Sequence, residues 1–172
     1  MAYNETMQSL AAAVFVLAAV VAVQDLPPRS GSPAATTETK HLTLSTSSNA
    51  PAVGAGKRVS LLVDVTPKPK MHVYAPGQDG YIAISLTLEP NPAFTAAKAK
   101  YPASEKIRME ALDETQVVYA KPFRIAQDVT LKGMSGPLTI KGTVRYQACD
   151  EAICYLPTNV PVQWTVDVQP AR

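Results

Sequence analysis

The sequence predicts an all-β domain built as an antiparallel sandwich or barrel of about eight strands. From residue 40 onward, apolar and polar side chains alternate in one segment after another, as they do in strands with one face in a core. Fifteen prolines and eight glycines supply turns between these segments. No stretch of ten or more residues in this part has helical spacing, which favours an all-β fold over a mixed one.

Four strands show the alternation most clearly. Their apolar faces are Val59, Leu61, Val63 and Val65; Ile82, Ile84, Leu86 and Leu88; Leu138, Ile140, Val144 and Tyr146; and Val160, Val162, Trp164, Val166 and Val168. Further strands are expected at 41–46, 70–75, 115–120 and 122–131. The most helix-like segment, Pro92–Lys100, is bounded by prolines and is expected to form at most a turn or two of helix.

Residues 1–23 are expected to form a secretory signal peptide or an N-terminal anchor. The apolar run Leu10–Val23 is shorter than the roughly 20 residues that cross a bilayer, and small residues follow it, which is typical of a signal peptide. No Lys or Arg precedes the run, so an uncleaved anchor stays open as the alternative. The protein is expected to be exported to the periplasm or another extracytoplasmic compartment, with membrane contact only through an uncleaved N-terminal segment.

The next segment, 24–39, is rich in Pro, Ser, Thr and Ala and is expected to be a flexible linker. The folded domain is therefore expected at 40–172. The whole chain carries 16 basic and 14 acidic residues, a net charge of +2, without a basic stripe. This balance argues against nucleic acid as a partner.

The chain has two cysteines, Cys149 and Cys154, with four residues between them. In an exported protein such a pair is expected to form a disulfide. A structural zinc site needs four ligands, and the two histidines, His41 and His72, are distant from each other in sequence. No metal and no cofactor is therefore expected.

The residues alone leave a structural and a redox role open for this disulfide. Closing so short a loop stabilises a fold by only about 2 kcal/mol. Cys149 shares strand parity with the polar residues of 139–147, which predicts a disulfide near the surface unless a bulge at Ala148 reverses the order. Asp150 and Glu151 lie between the cysteines, and their negative charge disfavours a thiolate on either one. This suits a disulfide that is attacked by a partner's thiolate.

The segment Thr143–Val162 (TVRYQACDEAICYLPTNVPV) resembles the active-site segment of the N-terminal periplasmic domain of the DsbD family of membrane thiol–disulfide reductases. The shared features are Tyr-Gln-x-Cys, a short loop, a second Cys, and an aromatic or apolar residue followed by Pro. Upstream, His72-Val73-Tyr74 is similar to the family's aromatic-x-Tyr strand, and Tyr101–Ile125 sits where the family carries a cap loop and a strand. The resemblance covers roughly Lys40–Val168 and implies an immunoglobulin-like β-sandwich.

The resemblance also implies roles for particular residues. Cys149 and Cys154 fall on the redox pair, and Cys154 on the cysteine that forms the mixed disulfide. Their supporting neighbours would be Tyr74, Tyr146, Gln147, Asp150, Glu151, Tyr155 and Pro157. A cap that shields the disulfide would include Arg108, Met109 and Glu110. The chain departs from the family pattern in having one residue fewer between its cysteines than the best-known members, and no aromatic residue in the cap.

The function that follows is a thiol–disulfide exchange domain of the protein-disulfide reductase type, which relays electrons between protein partners through Cys149 and Cys154. The expected partners are thioredoxin-like proteins or membrane thiol–disulfide reductases acting in trans. The alternative is a non-catalytic immunoglobulin-like binding or assembly module in which the disulfide pins a hairpin.

Overall fold

The computed structural model describes residues 35–110, 113–133 and 135–170. These residues form thirteen β-strands and no α-helix. The strands are β1 Ala35–Glu38, β2 Leu42–Ser48, β3 Ala52–Gly54, β4 Arg58–Pro67, β5 His72–Tyr74, β6 Ser85–Leu88, β7 Phe94–Ala96, β8 Glu105–Met109, β9 Glu114–Tyr119, β10 Phe123–Leu131, β11 Gly136–Tyr146, β12 Ala148–Cys149 and β13 Thr158–Gln169.

The strands form three sheets. The first has the order β1-β2-β4-β10-β7, the second β3-β13-β11-β6 and the third β12-β5-β9-β8. Pairing is antiparallel throughout except between β13 and β3. The predicted all-β class is confirmed, although the strands are more numerous than eight.

The first two sheets pack face to face over a single core. The inward side chains of β2, β4 and β10 belong to the same hydrophobic cluster as those of β11 and β13. The indole of Trp164 in β13 joins the two layers by donating a hydrogen bond to the carbonyl of Leu62 in β4 (3.0 Å). Burial alternates residue by residue along β4, β11 and β13, which confirms the strand faces predicted there from the sequence.

Two expectations from the pattern need correction. Segment Pro92–Lys100 forms no helix; it contains β7, and Lys100 pairs with Ala126 across a single bridge. Residues 81–89 are a strand only from Ser85 to Leu88, because the backbone before them turns to bond the third sheet, where the amide of Ile84 donates to Tyr74. Both segments lie at sheet edges, where local contacts override the alternation.

The N-terminal expectations fall mostly outside the described residues. The segment 1–23, expected to be a signal peptide or anchor, and residues 24–34 of the expected linker lie there. Ala35–Glu38, the end of that linker segment, form β1 and pair with β2 with all four side chains exposed. In the described part of the chain, no helix is long and apolar enough to cross a membrane.

Candidate functional site

The two cysteines face each other across a tight hairpin at the end of the third sheet. Cys149 ends β12, and Cys154 lies directly opposite as an isolated antiparallel bridge. Two backbone hydrogen bonds flank this pair. On the loop side the amide of Asp150 donates to the carbonyl of Ile153 (3.0 Å), and on the strand side the amide of Tyr155 donates to the carbonyl of Ala148 (2.8 Å). The cysteines thus occupy a non-hydrogen-bonded position, where opposed side chains come closest. Their Cα atoms are 4.0 Å apart and their sulfurs are joined in a disulfide.

The two sulfur-bearing residues differ sharply in exposure. Cys149 is only 1% exposed, whereas Cys154 lies at the surface. The parity argument that put Cys149 on the polar face is wrong, because β11 ends at Tyr146 and the chain enters the third sheet through Gln147. Alternation restarts after this break, so that Tyr146, Ala148 and Cys149 are all buried.

The carboxylate of Asp150 holds the loop between the cysteines. Its Oδ1 accepts hydrogen bonds from the amides of Ala152 and Ile153, both at 2.8 Å, and its Oδ2 accepts one from the hydroxyl of Tyr155 (2.9 Å). These donors hold the pKa of Asp150 below its usual value, with the Ile153 amide the largest cause. The same carboxylate raises the pKa of Tyr155. The loop is therefore an ordered turn closed by an ionised side chain.

A tyrosine hydroxyl lies against both sulfurs from inside the protein. The Tyr74 hydroxyl oxygen is 3.1 Å from Sγ of Cys149 and 3.2 Å from Sγ of Cys154. Disulfide sulfurs carry no hydrogen, so the hydroxyl is the donor. Tyr74 is fully buried, and burial strongly raises its pKa, which keeps the hydroxyl protonated. Tyr81 stacks on it with ring centroids 4.2 Å apart.

A partly buried polar chain continues from this tyrosine pair. The Tyr81 hydroxyl donates to Oε1 of Glu114 (2.7 Å), and the same oxygen accepts from the Gln116 amide (2.5 Å). Oε1 of Gln116 lies 3.2 Å from Nε2 of His72. The Gln116 amide and the Tyr81 hydroxyl hold the pKa of Glu114 below its usual value. The chain thus begins at an ionised carboxylate and ends at an imidazole beside the disulfide.

Two large apolar side chains are exposed on either side of Cys154. Ile153 is 55% exposed and Leu156 is 87% exposed. Among the described residues, these are the large hydrophobic side chains that stand out at the surface. Neighbouring exposed apolar side chains are found at protein-binding surfaces.

A model of a protein family, described as the N-terminal part of the thiol:disulfide interchange protein DsbD, matches residues 41–164. The chain belongs to the DsbD N-terminal domain family. The resemblance found in the sequence is thereby confirmed, and the immunoglobulin-like class of the sandwich with it.

One solved structure has a similar fold, and a second gives a weaker superposition. The N-terminal periplasmic domain of ScsB from Proteus mirabilis superposes with a TM-score of 0.53 at 10% identity, covering 81% of this chain and 51% of that one. The chain thus spans about half the length of that ScsB structure. The Neisseria meningitidis DsbD N-terminal domain in its reduced form gives a TM-score of 0.45 at 18% identity, covering 63% of this chain and 78% of that one. No match was found among curated proteins.

This DsbD-type domain brings most of the expected neighbours to the disulfide, but from two sides. Tyr155 packs on the far side from Tyr74, with its ring 4.4 Å from that of His41 and the Lys40 ammonium 4.8 Å from its centroid. Tyr146 is buried, its ring meets that of His41 edge-on at 6.1 Å, and its hydroxyl lies 3.0 Å from Oγ1 of Thr39. These contacts connect the residues after Cys154 to the start of β2.

The remaining loop residues divide into a structural and an exposed group. Gln147 links the site to the preceding segment, because its side-chain oxygen accepts from the amide of Ile82 (3.0 Å) and its carbonyl accepts from the amide of Tyr74 (3.4 Å). Glu151 and Pro157 are exposed beside the disulfide.

The expected cap lies on the edge hairpin of the third sheet. Pairing of β8 with β9 and of β9 with β5 puts Ile107 and Met109 on the same sheet face as Cys149 and Tyr74. Ile107 packs against the cluster that contains Cys149. Arg108 points the other way and forms an ion pair with Asp113, and Glu110 is exposed. The hairpin thus contributes Met109 to the disulfide's side of the sheet, and shielding by this segment stays a prediction.

Sequence reasoning missed the polar chain of the site. It considered His72 as a metal ligand and as the aromatic residue of the His72-Val73-Tyr74 strand, and it did not single out Tyr81, Glu114 or Gln116. The available signal was parity, since Gln116 alternates with the buried Val118 and therefore places an amide at a core position. Within the described residues, no group of three or more His, Cys, Asp or Glu side chains is placed to hold a metal ion.

Proposed function

We propose that this chain is an exported thiol–disulfide exchange domain of the protein-disulfide reductase type, which relays electrons between protein partners through Cys149 and Cys154. Family membership supports exchange over a purely structural disulfide. The observation that carries the residue assignment is the unequal exposure of the two cysteines, 1% for Cys149 against an open surface position for Cys154. Exchange requires in-line access to the attacked sulfur, which only Cys154 offers here.

The exchange runs in two balanced steps. A partner thiolate attacks Sγ of Cys154, the Cys149–Cys154 bond breaks, and Cys149 leaves with the electron pair and takes up a proton. A second thiol of the partner then resolves the mixed disulfide, so that the partner is oxidised and the domain is left with two thiols. Delivery reverses the order: Cys154 attacks an oxidised partner, and Cys149 displaces the reduced partner while closing the disulfide again.

The hydroxyl of Tyr74 supports the first step. Because its oxygen lies within hydrogen-bond distance of both sulfurs, its single hydrogen can stabilise the thiolate that develops on Cys149 without rearrangement of the ring. Charge-assisted hydrogen bonds are stronger than neutral ones, so this contact strengthens as the sulfur becomes negative.

The partner and compartment follow the family. The ScsB domain with the same fold is periplasmic by its description, and we place this domain in the periplasm, exported through the signal peptide or anchor of residues 1–23, with a linker between that segment and β1. Thioredoxin-like proteins or membrane thiol–disulfide reductases acting in trans fit as partners, because they present a cysteine to an accessible disulfide. Ile153 and Leu156 would contact such a protein around Cys154.

Trapping a mixed disulfide tests this function. A Cys149→Ala variant leaves the exposed Cys154 without its resolving thiol, so it should accumulate a disulfide-linked partner in the periplasm. The matched Cys154→Ala variant leaves only a buried thiol and should trap much less. A reduction potential far below about −300 mV would mark a stable structural bridge and contradict the proposal.

A further inference from the structure

His72 holds a position in this site that the exchange described above does not use. It lies on β5 as the direct cross-strand partner of Cys149 and is buried, with 5% of its surface exposed. Directly opposed side chains of antiparallel strands share a face, with Cβ atoms about 5 Å apart. The imidazole therefore lies next to the thiol that Cys149 becomes on reduction.

The polar chain assigns the tautomer of His72. The hydrogen-bonding roles of Gln116 and Glu114 are fixed. The Glu114 carboxylate can only accept, so the Gln116 amide nitrogen is the donor between them. Oε1 of Gln116 is left facing Nε2 of His72, which must then carry the hydrogen and donate it (3.2 Å). Nδ1 is consequently the ring nitrogen with a free lone pair, able to accept a proton.

Cys149 needs such an acceptor. To close the disulfide it must become a thiolate, and its burial disfavours that charge. We propose that His72 accepts the proton of Cys149 when this thiol resolves a mixed disulfide at Cys154. The inference rests on the proposed exchange and assigns the proton transfer within it.

The step balances as follows. The Cys149 thiol gives its proton to Nδ1 of His72, and the resulting thiolate attacks Sγ of Cys154. The Cys149–Cys154 bond forms as the bond from Cys154 to the partner breaks, and the partner leaves as a thiolate with that electron pair. Cys149 is oxidised, the partner sulfur is reduced, and the imidazolium passes its proton to the departing thiolate or to water.

The surroundings of His72 are suited to a transient positive charge. Asp150, from the loop after β12, interacts favourably with the imidazolium, as does the Gln116 oxygen from β9. The Tyr74 ring on its own strand meets it edge-on at 6.0 Å, and Tyr74 is held neutral. Glu114 faces it through Gln116. Burial still outweighs these contacts and lowers the pKa of His72, which leaves the ring neutral and ready to accept at pH 7.

The aromatic disulfide dithiobisnitrobenzoate separates the two halves of the reaction with the folded, reduced protein. Cys154 reacts first in a phase that depends on reagent concentration. Cys149 then expels the second nitrothiolate in a unimolecular phase. We expect the unimolecular rate of the wild type to rise through an inflection below pH 6.5 and then level off, because neutral His72 is required.

His72→Gln is the matched variant, since its amide can still donate to Gln116 but cannot take up a proton. Its unimolecular phase should be about 100-fold slower at pH 7, the usual contribution of a general base, and should rise tenfold per pH unit without levelling. The bimolecular phase, measured also in a Cys149→Ala background, should be unchanged.

Several outcomes would overturn the assignment. They are an unchanged unimolecular phase in His72→Gln, equal slowing of both phases, or a wild-type profile without the inflection. The last measurement needs no variant, so it decides even if His72→Gln fails to fold. Absence of any unimolecular phase in the wild type would instead contradict the exchange function itself.

Discussion

At the scale of single residues, the two cysteines of the site lie in different surroundings. Cys149 is enclosed by Tyr74, Val118 and the sheet, whereas Cys154 projects from a loop that Asp150 holds in place. The hydroxyl of Tyr74 reaches both sulfurs, so it can follow the negative charge from one to the other. This arrangement favours attack at one sulfur and departure of the other.

The contribution of the Tyr74 hydroxyl can be measured with Tyr74→Phe. The variant keeps the ring and its stacking on Tyr81 but removes the donor to the sulfurs. A hydrogen bond to a charged group is worth about 1.5 kcal/mol or more, so we expect reduction of the disulfide by dithiothreitol to slow about tenfold. Stopped-flow measurement of thiol release gives the rate.

Tyr119→Phe is the control for this change. Its hydroxyl donates to the carbonyl of Pro102 (2.8 Å), so the variant loses a comparable hydrogen bond away from the sulfurs. It should lose thermal stability but keep the wild-type rate of reduction. Equal rates for Tyr74→Phe and the wild type would show that the hydroxyl does not stabilise the departing thiolate.

Asp150 makes a prediction about pH. Its pKa is held below the usual 3.8 in the folded protein, so its charge stabilises the fold above that pH, and this contribution is lost as pH falls through the lower folded pKa. Asp150→Asn should therefore lower the melting temperature of the oxidised protein most at pH 5 to 7. The difference from the wild type should shrink towards pH 3.

The matched variant is Asp79→Asn, which removes the same charge from an exposed residue outside the loop. Its melting temperature should differ little from the wild type at any of these pH values. If Asp150→Asn lowered the melting temperature by the same amount at every pH, the charge of the carboxylate would make no contribution to stability.

At the scale of elements, the loop from Asp150 to Pro157 combines order with exposed apolar groups. The backbone of Ile153 is fixed by hydrogen bonds on both its amide and its carbonyl. Its side chain and that of Leu156 are nevertheless left in solvent. A pre-ordered surface loses less conformational entropy when a partner docks on it.

Leu156→Ser tests whether this surface serves protein partners. Leu156 is 87% exposed, so the change should leave the melting temperature unchanged. Burying one leucine against a partner is worth about 1.5 kcal/mol, so reduction by a thioredoxin-like dithiol protein should slow about tenfold. Reduction by dithiothreitol, which needs no docking surface, should keep its rate.

Leu156→Met provides the conservative comparison, because it keeps an apolar side chain of similar size. It should react with the protein dithiol nearly as the wild type does. Parallel slowing with dithiothreitol in Leu156→Ser would instead point to a disturbed loop.

The sequence predicted the long strands well because their alternation continues through many residues. In β4, β11 and β13 the buried faces are the ones expected from the pattern. The prediction from the sequence failed at Ala148–Cys149, where the strand is short and its register is set by pairing with another segment. There the pairing of Cys149 with His72, and not the continuation of β11, decides which side chains are buried. The cysteine pair was visible in the sequence, whereas the polar chain around it depends on contacts between distant segments.

At the scale of the whole molecule, the core and the disulfide occupy different parts of the fold. The main hydrophobic cluster lies between the first two sheets, and the disulfide closes a hairpin at the end of the third. Cys149 belongs to a separate small cluster with Tyr74 and Val118. A redox centre placed in this way can open and close without disrupting the packing that stabilises the domain.

Reduction of the wild-type protein tests this separation. With so short a loop, the disulfide contributes only about 2 kcal/mol through the entropy of the unfolded chain, whereas truncating one fully buried core side chain costs about 2 to 5 kcal/mol. We expect the dithiothreitol-reduced protein to keep its far-UV circular dichroism and to unfold in urea with a free energy lower by about 2 kcal/mol at most. Ile140→Ala, in the oxidised protein, should be destabilised at least as much. If the reduced protein were unfolded in buffer, the disulfide would be required for the fold. That outcome would contradict an electron relay, because a relay passes through the dithiol state at every turnover.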